Sequence, residues 1–150
     1  MLALSTILQQ RPRLSAALAF GLPTTALTHF AWHSDARWSG AVPAITLGAG
    51  LAHALAGALT GSRLLDPART RTGAQAALLG AATSLLAMLF FAPALAWYVA
   101  ASNTASNVGS FVALTFFTGF FAFLAAGWAL LLLSVAVAWG LHRWGGAVDR

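Results

Sequence analysis

The feature that most constrains this sequence is the length of its stretches without a charged side chain. No Asp, Glu, Lys or Arg occurs in residues 14–34, 39–62 or 72–142. An apolar helix needs about 20 residues to cross the hydrocarbon layer of a membrane. The first two stretches therefore each fit one crossing. The third would be roughly 105 Å long as a single helix at ~1.5 Å per residue, so it must turn.

The third stretch contains an obvious place to turn. Residues 102–110 read SNTASNVGS, a polar segment rich in turn formers between two apolar segments. Only 7% of the chain is charged, against about 25% in soluble domains. We therefore predict an all-α integral membrane protein: one domain of four transmembrane helices, near residues 14–34, 41–61, 74–100 and 110–140.

The arginines predict the orientation of these helices, because cytoplasmic loops of membrane proteins collect positive charge. With both termini cytoplasmic, only Arg37 lies outside, and the other seven arginines lie inside: Arg11, Arg13, Arg63, Arg69, Arg71, Arg143 and Arg150. We predict a multi-pass protein of the inner (plasma) membrane, and a composition rich in Ala, Arg and Leu without Lys suggests a bacterial source. The net charge of +5 does not indicate nucleic acid, since the arginines lie in short gaps between apolar runs.

Small residues on the second predicted helix indicate a packing surface, because membrane helices approach each other closely at Gly and Ala. One groove is formed by residues at every fourth position, namely Ala49, His53, Gly57 and Gly61, and a second by Gly50, Ala54 and Ala58. We expect this helix to be central. The phenylalanine-rich side of the fourth helix should face lipid or a partner subunit.

His53 is the strongest candidate for a cofactor-binding residue, because an ionisable group inside a span suggests a function. One interpretation is a neutral imidazole bonded to a hydroxyl of a neighbouring helix, with Thr24, Thr25, Thr83 and Ser84 at similar depth. The alternative is a proton relay or an axial ligand to haem or a chlorophyll-type pigment.

His29 and His33 are candidate metal ligands. Their i,i+4 spacing places both on one face of a helix, and Asp35 would add an oxygen ligand. The alternative is a polar membrane interface without a ligand, since Trp32 and Trp38 flank the pair. A haem held between His29 and His53 is disfavoured because the two residues lie at different depths.

Arg63, Arg69 and Arg71 belong to the predicted cytoplasmic loop between the second and third helices. They are candidates for contact with anionic lipid headgroups or an acidic partner. The alternative is that they only determine topology.

The predicted spans contain no carboxylate, and the chain has no phosphate-binding or dinucleotide-binding glycine motif. The missing carboxylates argue against a proton-coupled or cation-coupled transporter and against a carboxylate-based enzyme, so the sequence leans away from an enzyme. The first hypothesis is a non-catalytic subunit, without a required cofactor, that packs among lipids and other integral membrane subunits of a respiratory, photosynthetic or transport complex. The second is a redox subunit that binds haem, pigment or metal through His53 or through His29 and His33. The third is an oligomeric channel or carrier for a small solute.

Overall fold

Residues 10–33, 42–66, 70–102 and 108–145 are described by the computed structural model of the chain. These residues form five α-helices and one π-helical turn, and no strand occurs among them. In chain order the elements are α1 (Pro12–His33), α2 (Val42–Leu64), α3 (Gly73–Ser102), α4 (Val108–Ala122), the π-helical turn (Phe123–Gly127) and α5 (Trp128–Gly145). The all-α prediction is confirmed for this part of the chain. Most of the predicted polar turn at 102–110 lies outside the described residues.

The first three helices have the length and apolar composition to cross a membrane, over Pro12–Ala31, Pro43–Leu64 and Gly73–Tyr98. The helix predicted at 110–140 is instead two shorter α-helices of 15 and 18 residues. The backbone on both sides of the π-helical turn stays α-helical, with φ and ψ of −62° and −39° at Ala122 and −64° and −39° at Trp128. The two helices therefore follow each other without a break in helical winding.

The starts of the helices are encoded locally. α1 and α2 have Pro12 and Pro43 in their first turns, where an N–H would have no helical partner. α3 begins with a capping box: the Gln75 N–H donates to Thr72 Oγ1 at 3.2 Å, and the Thr72 N–H donates to Gln75 Oε1 at 3.3 Å. The N–H of Arg71 also donates to Gln75 Oε1, at 2.8 Å.

α1 and α2 pack against each other at backbone distance. A Cβ at Gly57 would lie 2.8 Å from the carbonyl oxygen of Ala16, and a Cβ at Gly61 would lie 2.8 Å from that of Pro12. The predicted packing at these glycines is thus confirmed. Ala49 of the same predicted groove packs instead in an apolar cluster with Ala87 of α3. The small residues of α2 are therefore shared between two neighbours, so α2 lies between α1 and α3.

α3 joins the other helices through two close contacts. A Cβ at Gly80 would lie 2.5 Å from the carbonyl oxygen of Ser134, which brings α3 and α5 into backbone contact. On its other side, the hydroxyls of Thr83 and Thr60 form a hydrogen bond of 2.9 Å between α3 and α2. The result is a pair of tightly packed hairpins, α1–α2 and α3–α5, joined along α2 and α3.

Most of the large apolar side chains that the structure describes are exposed, whereas the interior of a soluble domain holds most of its large apolar side chains. On α2 the leucines at every fourth position, Leu47, Leu51, Leu55 and Leu59, are 57–64% exposed. The opposite side of α2 buries Ala52, His53 and Ala56. The outer surface of this helix is thus leucine, and most of its contacts with other helices are made by small or polar residues, with Ile45 and Leu64 packed near its two ends.

Candidate ligand cavity and the buried histidine

A half-open cavity of about 480 Å³ lies between α4 and the other helices, and its lining residues Phe117 and Phe121 are also exposed on the outer surface. Every helix contributes to its wall: α1 through Thr28, α2 through Ile45 and Ala49, α3 through Met88, Phe91 and Leu95, and the α4–α5 segment through Leu114, Phe117, Thr118, Phe121, Ala122, Ala126 and Leu130. No residue of the wall is charged, and its two threonines are the polar members. Such a volume and lining fall in the range of small-molecule sites, roughly 300–1,000 Å³ and mostly apolar.

The cavity exists because α4 packs mainly on one neighbour, α3. A Cβ at Gly119 would lie 3.0 Å from Cβ of Ala92, which marks this contact. Among the side chains that the structure describes between residues 109 and 126, none is buried. By contrast, α5 buries Leu130, Ser134, Ala138 and Leu141. α4 therefore leaves a gap between itself and the α1–α2 hairpin, and the cavity occupies it.

The π-helical turn forms part of the cavity wall. Ala126 belongs to the turn, and Ala122 is the last residue of α4 before it. Both residues line the cavity. Single π-helical turns inside α-helical segments occur frequently at functional sites. The turn is therefore a second indication, separate from the cavity volume, that this region has a function.

His53 is buried one turn along α2 from Ala49, which lines the cavity. Its Nδ1 lies 3.0 Å from the carbonyl oxygen of Ala49. A carbonyl oxygen only accepts, so the hydrogen of a neutral ring is on Nδ1, and Nε2 carries a lone pair. Nε2 is buried and has no hydrogen-bond partner among the described residues. The predicted hydroxyl partner is therefore wrong: His53 bonds to its own helix, and Thr83 bonds to Thr60 instead.

Two hydroxyl groups resemble His53 Nε2 in being buried without a hydrogen-bond partner. Thr46 Oγ1 and Ser134 Oγ are also buried and have no partner in the part of the chain that the structure describes. Thr46 adjoins the cavity residue Ile45, and Ser134 follows the cavity residue Leu130 by one turn. Other hydroxyls donate to the carbonyl one turn earlier: those of Thr25, Thr28 and Thr115, at 2.9, 2.6 and 2.9 Å. Thr46, His53 and Ser134 are thus each adjacent to, or one turn from, a residue of the cavity wall, but none of the three lines the cavity.

The predicted metal site is described only in part. His29 is exposed on α1, whereas the side chain of His33 and all of Asp35 lie outside the described residues. Within the ranges that the structure describes, no group of three or more His, Asp or Glu side chains is arranged for a metal ion. The metal site at His29, His33 and Asp35 therefore stays a prediction.

The contacts between α1 and α2 also give the relative depth of His29 and His53. Gly50 faces Thr25 and Gly57 faces Ala16, so His53 is level with about residue 22 of α1. His29 is about seven residues further along, or roughly 10 Å at ~1.5 Å per residue. Imidazole nitrogens that share a metal each lie about 2 Å from it. The structure thus agrees with the expectation that these two histidines do not hold one haem.

In the loop between α2 and α3, which contains the arginines, side-chain hydrogen bonds hold two backbone groups in place. Thr70 is buried, and its Oγ1 donates to the carbonyl oxygen of Arg63 at 2.8 Å, which satisfies an acceptor at the end of α2. The capping side chain of Gln75 holds the N–H of Arg71. Arg63 and Arg71 are exposed, and Arg69 lies outside the described residues. Their contact with anionic headgroups or a partner stays a prediction.

The chain matches no protein-family profile, no curated protein and no solved structure.

Proposed function

We propose that this chain is a non-catalytic subunit of a larger membrane complex, and that a neighbouring subunit packs against α4. The observation that carries the proposal is the exposed aromatic side of α4, where Phe116 is 69% and Phe120 is 50% exposed while no described side chain of the helix is buried. Interfaces between proteins are enriched in Phe, Tyr and Trp at their centres. A helix held by one neighbour gains a second packing surface when another subunit binds there.

The membrane part of the proposal rests on the exposed leucines. Leucines at every fourth position of α2 point outward, and a surface of this kind is compatible with lipid tails but not with water. In this proposal the chain crosses the membrane four times, through α1, α2, α3 and the segment formed by α4 and α5. The arginine distribution supports both termini in the cytoplasm and the inner membrane of a bacterium as the location.

The proposed topology is testable because the chain contains no cysteine. Four single variants, Ser39→Cys, Ala68→Cys, Ser106→Cys and Ala147→Cys, each introduce one thiol for a membrane-impermeant maleimide. We expect labelling of intact cells at positions 39 and 106, and labelling at positions 68 and 147 only after the membrane is permeabilised. Any other pattern would contradict four crossings with cytoplasmic termini.

The subunit proposal is tested by site-specific photocrosslinking in native membranes. A photoreactive phenylalanine analogue replaces Phe116 or Phe120 on α4, and the matched control carries it at Phe30 of α1, which is 83% exposed. We expect a crosslinked protein band of one defined mass from the α4 positions and lipid adducts alone from position 30. Lipid adducts alone at all three positions would refute the α4 interface.

A redox subunit is the second candidate, and one observation favours it. Histidines that bind metals usually donate their other ring N–H to a carbonyl or carboxylate, and His53 donates to the Ala49 carbonyl. The test is the visible spectrum of the protein purified in mild detergent from its own source membranes. A Soret or chlorophyll band that disappears in His53→Ala would favour this candidate, and an absorbance unchanged by the substitution would remove it.

The channel or carrier hypothesis loses part of its basis. Glycines leave room for a path along a helix, but those of α2 face α1, with the Thr25 hydroxyl against Gly50 and the Ala16 carbonyl against Gly57. A path would therefore have to run between copies of the chain. A stable homo-oligomer without other subunits, measured by native mass spectrometry, would favour this hypothesis over the subunit proposal.

A further inference from the structure

We propose that one fatty acyl chain of a membrane phospholipid occupies the half-open cavity and is the second neighbour against which α4 packs. The inference rests on the membrane location proposed above, but not on the subunit interface. That interface involves Phe116 and Phe120, whereas Phe117 and Phe121 line the cavity. The acyl-chain site and the subunit interface can therefore fail independently.

The cavity wall lies within one half of the bundle. The residues that α1, α2 and α3 contribute all belong to the halves of these helices nearest to residues 34–41 or to residues 103–107: Thr28, Ile45, Ala49, Met88, Phe91 and Leu95. In the proposed topology both of these connections lie outside the cell. The cavity therefore belongs to the outer leaflet of the membrane.

The height of the cavity fits an acyl chain of one leaflet. Met88 and Leu95 are seven residues apart on α3, or roughly 10 Å at ~1.5 Å per residue. One leaflet contributes about half of the ~30 Å of hydrocarbon in a bilayer. An acyl chain that descends from a headgroup at the outer surface can therefore extend along the whole wall.

The lining excludes the polar part of a lipid and accepts its chain. No charged side chain lines the cavity, and the hydroxyl of Thr28 already donates to the carbonyl oxygen of Thr24 at 2.6 Å. A charged headgroup would be without a partner there, which is strongly unfavourable. The volume of about 480 Å³ holds about sixteen groups at roughly 30 Å³ each, the space of one water molecule, and a methylene group is of similar size. That number of methylene groups is close to the length of a common acyl chain.

The cavity has a buried floor and an exposed mouth. The floor contains Ile45, Ala49 and Leu130, which are only 6%, 2% and 3% exposed, and the mouth contains Phe117 and Phe121, which are 57% and 63% exposed. Lipid chains beside the protein therefore meet the mouth directly. An unfilled apolar space leaves its wall without dispersion contacts, so a chain that enters the cavity gains contacts with α4 on one side and the α1–α2 hairpin on the other.

The test is photolabelling of the purified full-length chain in phosphatidylcholine nanodiscs. A small fraction of the phosphatidylcholine carries a diazirine in the middle of one acyl chain, and tandem mass spectrometry locates the label after illumination. Any lipid beside the protein reaches Leu51 and Leu55, which are exposed on α2, but only a chain inside the cavity reaches the buried floor at Ile45 and Ala49. We expect label on the floor and on both leucines. Label on the leucines alone would overturn the acyl-chain site and leave the membrane location standing, whereas label on neither would contradict both.

A cavity-filling variant assigns the floor label to the cavity. Ala126→Phe places a large side chain in the wall and should lower the label at Ile45 and Ala49 about fivefold or more, which corresponds to about 1 kcal/mol. The matched control, Leu89→Phe at an exposed position of α3, should leave the floor label unchanged. Floor label that survives Ala126→Phe would refute the site. The comparison of floor and leucines in the wild type remains decisive if Ala126→Phe does not fold.

A neighbouring protein is the competing occupant, and native membranes distinguish it from lipid. The same diazirine lipid is introduced into membranes of the source organism, and the label on the floor is compared with the label on Leu51 and Leu55. We expect the floor to be labelled there as in nanodiscs. A floor label that is present in nanodiscs and lost in native membranes would overturn the proposal, because a neighbouring protein would then fill the cavity.

Discussion

Replacing Gly80 with alanine should separate α3 from α5. The added Cβ would lie 2.5 Å from the Ser134 carbonyl oxygen, 2.8 Å from Cβ of Ala138 and 2.9 Å from Cα of Val135. Two of these three atoms belong to backbone, so no side-chain rotation relieves the contact. The oxygen contact must lengthen from 2.5 Å to about 3.4 Å, an ordinary van der Waals distance. Overpacking of this kind costs about 1–3 kcal/mol.

Gly140→Ala on α5 is the matched control, because a Cβ at Gly140 meets nothing within 4 Å. Both substitutions replace glycine inside an α-helix, so the intrinsic gain of about 0.8–1.0 kcal/mol for alanine is common to the two and cancels in their difference. We therefore expect Gly80→Ala to be about 1–3 kcal/mol less stable than Gly140→Ala. This difference corresponds to a factor of roughly 5 to 150 in the unfolding equilibrium constant.

The free energy of unfolding is measured by titration with sodium dodecyl sulfate in mixed lipid–detergent micelles. The fluorescence of the six tryptophans reports on packing, and far-UV circular dichroism reports on helix content. A Gly80→Ala protein as stable as Gly140→Ala would refute the close contact of α3 with α5. The same result would remove the argument that these helices form one hairpin.

Three more measurements test one hydrogen bond between helices, one helix cap and the metal hypothesis. A double-mutant cycle of Thr60→Val and Thr83→Val should show a coupling energy of about 0.6 kcal/mol from the bond between α2 and α3, and strictly additive effects would contradict that bond. Thr72→Ala should lower stability by about 1 kcal/mol through loss of the capping box at the start of α3, with no change if that start frays. Elemental analysis tests the metal hypothesis: one metal equivalent that is lost in His29→Ala/His33→Ala would establish it, and equal metal content would dismiss it.

The positions of the first three helices could be predicted because their ends are encoded locally. Uncharged runs that end at charged residues or at the polar segment 102–110 predict helices at 14–34, 41–61 and 74–100, and each predicted end lies within three residues of the corresponding end of α1, α2 or α3. The packing at Gly57 and Gly61 was equally accessible, since glycine at every fourth position leaves a groove whatever the partner helix is. The capping box of α3 has a readable signature as well, Thr72 with Gln75 three residues later.

The cavity and the environment of His53 could not be predicted in the same way. The cavity depends on how far α4 lies from the α1–α2 hairpin, and no local pattern contains that distance. Predicted depths put Thr83 near His53, but the contact between helices aligns Thr83 with Thr60, about two turns away along α2. The carbonyl of Ala49 is always within reach of His53 in a helix, so it competes successfully with any hydroxyl that needs exact placement of a second helix.

The π-helical turn has a consequence for insertions and deletions in this chain. Gly119 and Gly127 both face α3, since added Cβ atoms would lie 3.0 Å from Cβ of Ala92 and 3.2 Å from Cε of Met88. In a continuous α-helix, side chains eight residues apart point in directions that differ by about 80°. Side chains seven residues apart point in directions that differ by only about 20°. Loss of a single codon between positions 123 and 127 would therefore leave both glycines directed at α3. Such a deletion would convert the π-helical turn to ordinary α-helix and move the lining residues Ala122 and Ala126. A single deletion could therefore reshape the cavity in evolution while the helices stay packed together.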